Sequence, residues 1–106
     1  MLILSVKSVL GLDIELTSEN FDYIKEKHTE VSSLQMEQIS KSISEPDFVS
    51  VDKDDPSVFL YHKLFTRTNY GPKMCIAVAK HLKDRGFIIT VYLSSKIRRG
   101  RVIWLR

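Results

Sequence analysis

The feature that most limits what this chain can fold into is a change of period at Glu45-Pro46-Asp47. Before it, apolar residues recur at helical spacing, and after it they alternate with polar ones. Proline ends a helix because it lacks an amide hydrogen and disfavours helical backbone in the residue before it. A single switch from period 3.6 to period 2 predicts helices followed by strands, an α+β chain.

Upstream of the switch, Met1–Lys7 reads as a short strand. Gly11-Leu12-Asp13 reads as a turn, and Ile14-Glu15-Leu16 as briefly extended. Thr17 and Ser18 offer N-cap hydroxyls, and Glu19 suits the positive end of a helix dipole. Phe21, Ile24 and His28 then share one helical face, predicting a helix to about Glu30. Val31-Ser32-Ser33 caps a second helix with Leu34, Ile39 and Ile43 inward. Downstream, strands are expected at residues 48–51, 58–65, 73–80, 87–94 and 102–105, joined by polar loops. With 106 residues there is room for one core, so residues 1–106 are expected to form one domain. The expected architecture is two N-terminal helices packed on one face of an antiparallel β-meander.

Charge divides at nearly the same place. Residues 1–55 carry 5 Lys/Arg against 12 Asp/Glu, and residues 56–106 carry 11 against one, giving −7 and +10 within a net +3. Such a split suggests a polyanion-binding face on the second half, although the two halves attracting each other would produce the same pattern. Cys75 is the single cysteine, which excludes an intrachain disulfide and fits a reducing compartment. It lies in Met74-Cys75-Ile76-Ala77-Val78, where a buried structural thiol is expected. No segment approaches the roughly 20 apolar residues that cross a membrane, and the start lacks a basic leader region, so a cytoplasmic protein is expected.

Four glycines, none in a glycine-rich loop, give no phosphate-binding or dinucleotide fingerprint. His28, His62 and His81 are scattered and lack metal-ligand spacing, so no metal or cofactor is expected. Histidines among cations and hydroxyls are nevertheless enough to cleave RNA. The 2′-hydroxyl attacks the adjacent phosphorus; an imidazole moves protons, and Lys or Arg stabilises the phosphorane charge.

The order of features resembles the phage-associated barnase–EndoU–colicin–RelE-like nuclease domains. The residues that carry the resemblance are Ile14-Glu15-Leu16-Thr17, His28, Pro46-Asp47-Phe48-Val49, Tyr61-His62-Lys63, Lys73 and Ile89-Thr90-Val91-Tyr92. A basic turn from Lys96 through Arg99, then Gly100 and Trp104, completes the set, which spans roughly residues 14–104. The resemblance implies a barnase/RelE-like fold and a metal-independent endoribonuclease of the toxin or phage-effector type. It makes His28 the proton-transfer residue, with Lys63 and Arg67 on phosphate and Thr90 and Tyr92 positioning it. His62 stands where a second tyrosine is usual and Val91 where alanine is usual. His62, Lys73, Lys96, Arg98, Arg99 and Arg101 are the expected RNA-binding residues. Partners implied are RNA and an antitoxin or immunity protein.

The same residues have plain structural readings. His28 suits a helix C-terminus, and Thr90 and Tyr92 are good strand formers. His62 fits an exposed strand face and His81 a solvated hairpin end. The basic run from Lys96 to Arg101 also fits a charged edge that discourages strand pairing. A non-catalytic RNA-binding module, or an inactive relative that binds a partner, therefore stands beside the nuclease reading.

Overall fold

The computed structural model describes residues 1–98 and 100–106. In chain order it contains β1 (Leu2–Lys7), β2 (Asp13–Thr17), α1 (Ser18–Lys27), a 3₁₀ turn (Thr29–Ser33) and α2 (Met36–Ser44). Then follow β3 (Phe48–Val51), β4 (Val58–Phe65), β5 (Lys73–His81), β6 (Arg85–Ser94) and β7 (Arg101–Leu105). All the strands join one sheet of order β1-β2-β6-β5-β4-β3-β7. Among the described residues no helix is long and apolar enough to cross a membrane.

The expected architecture, two N-terminal helices packed on an antiparallel meander, is not what the chain adopts. Two strands precede the helices, and the seven-stranded sheet is mixed because β2 lies parallel to β6. β3 to β6 do pair antiparallel in succession. The difference arises at Ile14 and Leu16, which alternate with polar residues and are both buried in the core. The segment read as briefly extended is thus a full core strand, hydrogen-bonded to β1 on one side and β6 on the other. α1 also stops sooner than its apolar spacing suggests. Thr17 Oγ1 accepts the Asn20 N–H at its start, and His28 is its C-cap. Thr29 to Ser33 then tighten into a 3₁₀ turn, and α2 begins at a reciprocal Gln35–Gln38 cap.

The two faces of the sheet differ. On the helix side, Leu16, Tyr61, Cys75, Ala77 and Val91 pack against Ile24, Val31, Leu34, Ile39 and Ile43. On the opposite side, Leu60, Ile76 and Val78 form a smaller cluster with Val58, Met74 and Tyr92. β7 pairs with the outer edge of β3, so the chain leaving β6 must pass over β5, β4 and β3 to reach it. This connection lies on the side away from the helices, where the Arg98 N–H donates to His62 Nε2 at 3.3 Å.

Gly86 marks the closest approach of β2, β5 and β6. A Cβ there would lie 2.7 Å from the Lys80 carbonyl oxygen and 2.8 Å from Ile14 Cδ1. Both neighbours are fixed, one being backbone and the other a fully buried side chain. Gly86→Ala is expected to cost about 1–3 kcal/mol through overpacking, read as a lower urea midpoint. An unchanged midpoint would show that β2 can shift away from β6.

Candidate functional site

β2 and β6 stay paired only over Asp13–Glu15 against Arg85–Phe87. From Ile88 onward no strand among the described residues lies beside the outer edge of β6, and such an edge leaves backbone polar groups open. Side chains from the helical segment satisfy them. Asn20 Nδ2 donates to the Ile88 carbonyl at 2.5 Å, and the Leu93 N–H donates to Glu30 Oε2 at 3.2 Å. α1 is thereby laid along β6, with its C-cap at His28 near the lower end of the strand.

This places the His28 ring against Tyr92, with centroids 5.3 Å apart and planes inclined by 28°. His28 Nδ1 lies 3.9 Å from Glu30 Oε2, and 37% of the His28 side chain is exposed. Tyr92 pairs with Ile76 and Thr90 with Val78. Both therefore point to the face away from the helices, as strand alternation requires. Lys73 lies at the same end of the sheet but, paired with Phe65, on the helix face, its Nζ donating to Ser95 Oγ at 3.1 Å. Lys96 is anchored there by its backbone N–H, which donates to Ser94 Oγ at 3.0 Å. The structure thus brings His28, Tyr92 and Glu30 together at the lower half of β6, with Thr90 on the Tyr92 face and Lys73 and Lys96 at the same end of the sheet but not hydrogen-bonded to them. Sequence reasoning misses Glu30, whose one signal is its place two residues after His28.

Other expected site residues lie elsewhere. Lys63 pairs with Cys75 on the helix side, and its Nζ donates to the Glu45 carbonyl at the end of α2, at 2.7 Å. A lysine there complements the negative end of the helix dipole, and the sheet separates it from Thr90 and Tyr92. Arg67 projects from the β4–β5 loop into a separate cleft beside α2. Arg98 Nη2 pairs with Asp52 Oδ1 at 3.3 Å, and Arg101 opens β7 opposite Val51. Arg99 lies outside the described residues.

The three histidines separate clearly by environment. His62 has no exposed surface and is covered by the β6–β7 connection rather than offered to a ligand. It stacks on Phe48 at 4.1 Å. Its Nδ1 bonds the Leu60 carbonyl at 3.1 Å while Nε2 accepts from Arg98, a pattern that requires the neutral ring protonated on Nδ1. Burial lowers its pKa from 6.5 to about 4, with the Arg98 charge adding to the effect. His81 stacks on Phe59 at 3.7 Å, bonds the Tyr61 hydroxyl at 3.0 Å, and is lowered by burial to about 4 as well. Both rings are neutral near pH 7. Burial also pushes the Cys75 thiol up to about 11, which makes it a poor nucleophile. Among the described residues no group of three His, Cys, Asp or Glu is placed to hold a metal ion. Compared with known proteins, the chain matches no family model, no curated relative and no solved structure.

The buried His62 and the half-buried His81 imply an acid-sensitive fold. Unfolded histidines take up protons near pH 6.5, whereas His62 and His81 resist until about 4. In that window the unfolded chain binds more protons, so stability rises with pH. Urea midpoints are expected to be full above pH 6.5 and to fall as pH drops toward 4. His62→Gln, which keeps an acceptor for the Arg98 N–H, should flatten the slope. Glu19, bonded to the N-terminal ammonium, and Asp55, bonded to Ser57, are each lowered to about 2. Their contributions are lost further down, below about pH 4. A midpoint constant from pH 7 to 4.5 would contradict the lowered pKa of both rings.

Proposed function

We propose that this chain is a metal-independent endoribonuclease of the toxin or phage-effector type, acting in the cytoplasm from the lower end of β6. The observation that carries this reading is the placing of the half-exposed His28 against Tyr92 and Glu30, at the end of the sheet that also holds Lys73 and Lys96. The resemblance of the ordered motifs to phage-associated nuclease domains adds to it.

In this mechanism the 2′-hydroxyl of the substrate attacks the neighbouring phosphorus, forming the 2′,3′-cyclic phosphate and breaking the bond to the 5′-oxygen. His28 exchanges the proton, because it is the partly exposed imidazole at this end of the sheet, His62 being buried and His81 lying at the opposite end, at the β5–β6 turn. Glu30 is fixed by the Leu93 N–H and stands 3.9 Å from His28 Nδ1, where it orients the ring. Tyr92 and Thr90 supply hydroxyls for a nonbridging oxygen, and Lys96, just beyond the end of β6, offsets the charge that builds on phosphorus. A ribonuclease free in the cytoplasm threatens its own host, so an inhibitory antitoxin or immunity protein belongs to the same reading.

One observation favours a second reading. With His62 buried, His81 at the opposite end of the sheet and Lys63 turned to α2, a single imidazole remains at the site beside cations at the sheet's end, which also suits an RNA-binding surface without catalysis. Cleavage of total RNA and purified tRNA in EDTA separates the two. Wild type is expected to cleave. His28→Ala should lose about 10²-fold or more in rate, the usual worth of a general acid or base, and Tyr92→Phe should lose less. Lys63→Ala should retain cleavage while lowering stability. Salt-sensitive RNA binding without cleavage would favour the binding module instead.

A further inference from the structure

The cleft that receives Arg67 has no part in the chemistry above. It lies between the 3₁₀ turn, the first turn of α2 and the β4–β5 loop, and encloses about 490 Å³. That falls within the roughly 300–1,000 Å³ of ordinary ligand sites. Phe65 provides an apolar wall, Arg67 and Asn69 stand on the loop side, and Gln35 and Gln38 stand on the helix side.

The orientation of the two glutamines is settled by their own hydrogen bonds. Gln38 Oε1 accepts the Gln35 N–H at 2.8 Å, and the Gln35 side chain accepts the Gln38 N–H in return. Both amide oxygens are engaged in this reciprocal cap. Each Nε2 is therefore left as a donor, with no partner among the described residues. The Arg67 guanidinium likewise has no carboxylate or carbonyl partner among them. The cleft thus holds two oriented amide donors and the Arg67 guanidinium beside an aromatic ring, while its one carboxylate, Glu37, is paired with Lys41 at 3.3 Å; this fits an anion carrying a flat group rich in acceptors. Its position is equally specific. The 3₁₀ turn begins directly after His28, and Ser33 at its other end lines the cleft. Five residues at about 2 Å each put roughly 10 Å between them, a span that one nucleotide and its phosphate can bridge.

We propose that this cleft is a base-binding subsite for the nucleotide next to the scissile phosphate, and that it selects guanine. The assignment of an RNA ligand rests on the ribonuclease reading. The base lies against Phe65, its O6 and N7 acceptors face the two neighbouring Nε2 donors, and Arg67 takes the phosphate. Adenine presents an amino donor where guanine presents O6, so it meets donor with donor.

Titrating the full chain with guanosine 5′-monophosphate, adenosine 5′-monophosphate and ribose 5-phosphate, followed by amide NMR, tests this without any cleavage. The guanine nucleotide is expected to shift Gln35, Gln38 and Asn69 saturably, and to bind about tenfold tighter than ribose 5-phosphate. Arg67→Ala should weaken it about tenfold and Arg67→Lys less, since lysine keeps the charge but not the fork. His28→Ala should leave it unchanged. Equal binding of ribose 5-phosphate, tighter binding of the adenine nucleotide, or no shift at these residues would overturn the subsite. If wild type fails to cleave RNA but still binds the guanine nucleotide at these residues, the ribonuclease reading falls and the subsite stands. If wild type cleaves RNA but no nucleotide binds here, the subsite falls and the ribonuclease reading stands.

Discussion

β2 and β6 lie side by side for only three residue pairs, and the unpaired remainder of β6 organises the end of the molecule where His28 sits. Backbone groups at an open edge must find partners or be solvated. Here the partners are an amide from Asn20 and a carboxylate from Glu30, one at each end of the exposed stretch. Those two bonds fix α1 in position and direction against the strand. With α1 fixed, its C-cap residue has one place to go, against the Tyr92 ring. A longer β2–β6 ladder would occupy the edge, displace α1 and separate His28 from Tyr92.

A second constraint acts across the sheet. Adjacent residues on a strand point to opposite faces, so His62 and Lys63 cannot serve one site. Lys63 joins Tyr61 on the helix side, and His62 joins Leu60 on the other. β7 pairs beyond β3, which obliges the β6–β7 connection to cross that second face and bury His62. The ring answers the crossing backbone with an acceptor at Nε2, so it is held neutral by the same contact that covers it. A core hydrogen bond explains His62 without any role in catalysis.

Much of this was legible in the sequence. Pro46 does end the helical half, and β3 and β4 fall on residues 48–51 and 58–65 as their alternation indicates. Thr90 and Tyr92 do share a face, because period two is a local property. What the sequence conceals is partnership. Asp13–Thr17 is five residues long, too short for its pattern to say that it pairs with a strand some 70 residues away, in parallel. The contact of Glu30 with Leu93 is hidden for the same reason. The parity that sends Lys63 away from Thr90 was present in the residue numbers. It became decisive only once the helices were known to cover one face and the β6–β7 connection the other.

The charge split finally resolves into two jobs. Some cations of the second half are tied to carboxylates just ahead of it: Lys80 to Asp55, Arg98 to Asp52 and Arg106 to Asp47. These pairs are partly exposed and contribute little each, but they hold the β5, β6–β7 and β7 segments to the turns around β3. Lys63, Lys83, Arg85 and Arg101 have no carboxylate partner among the described residues, and the same holds for three cations at one end of the sheet, Lys73, Lys96 and Arg67. These three sit at the end of the sheet that holds His28 and the neighbouring cleft. Attraction between the halves therefore accounts for three of the cations, Lys80, Arg98 and Arg106. The positive charge left at the His28 end is available for a polyanion, and that is where a phosphate chain would have to lie for the imidazole to reach it.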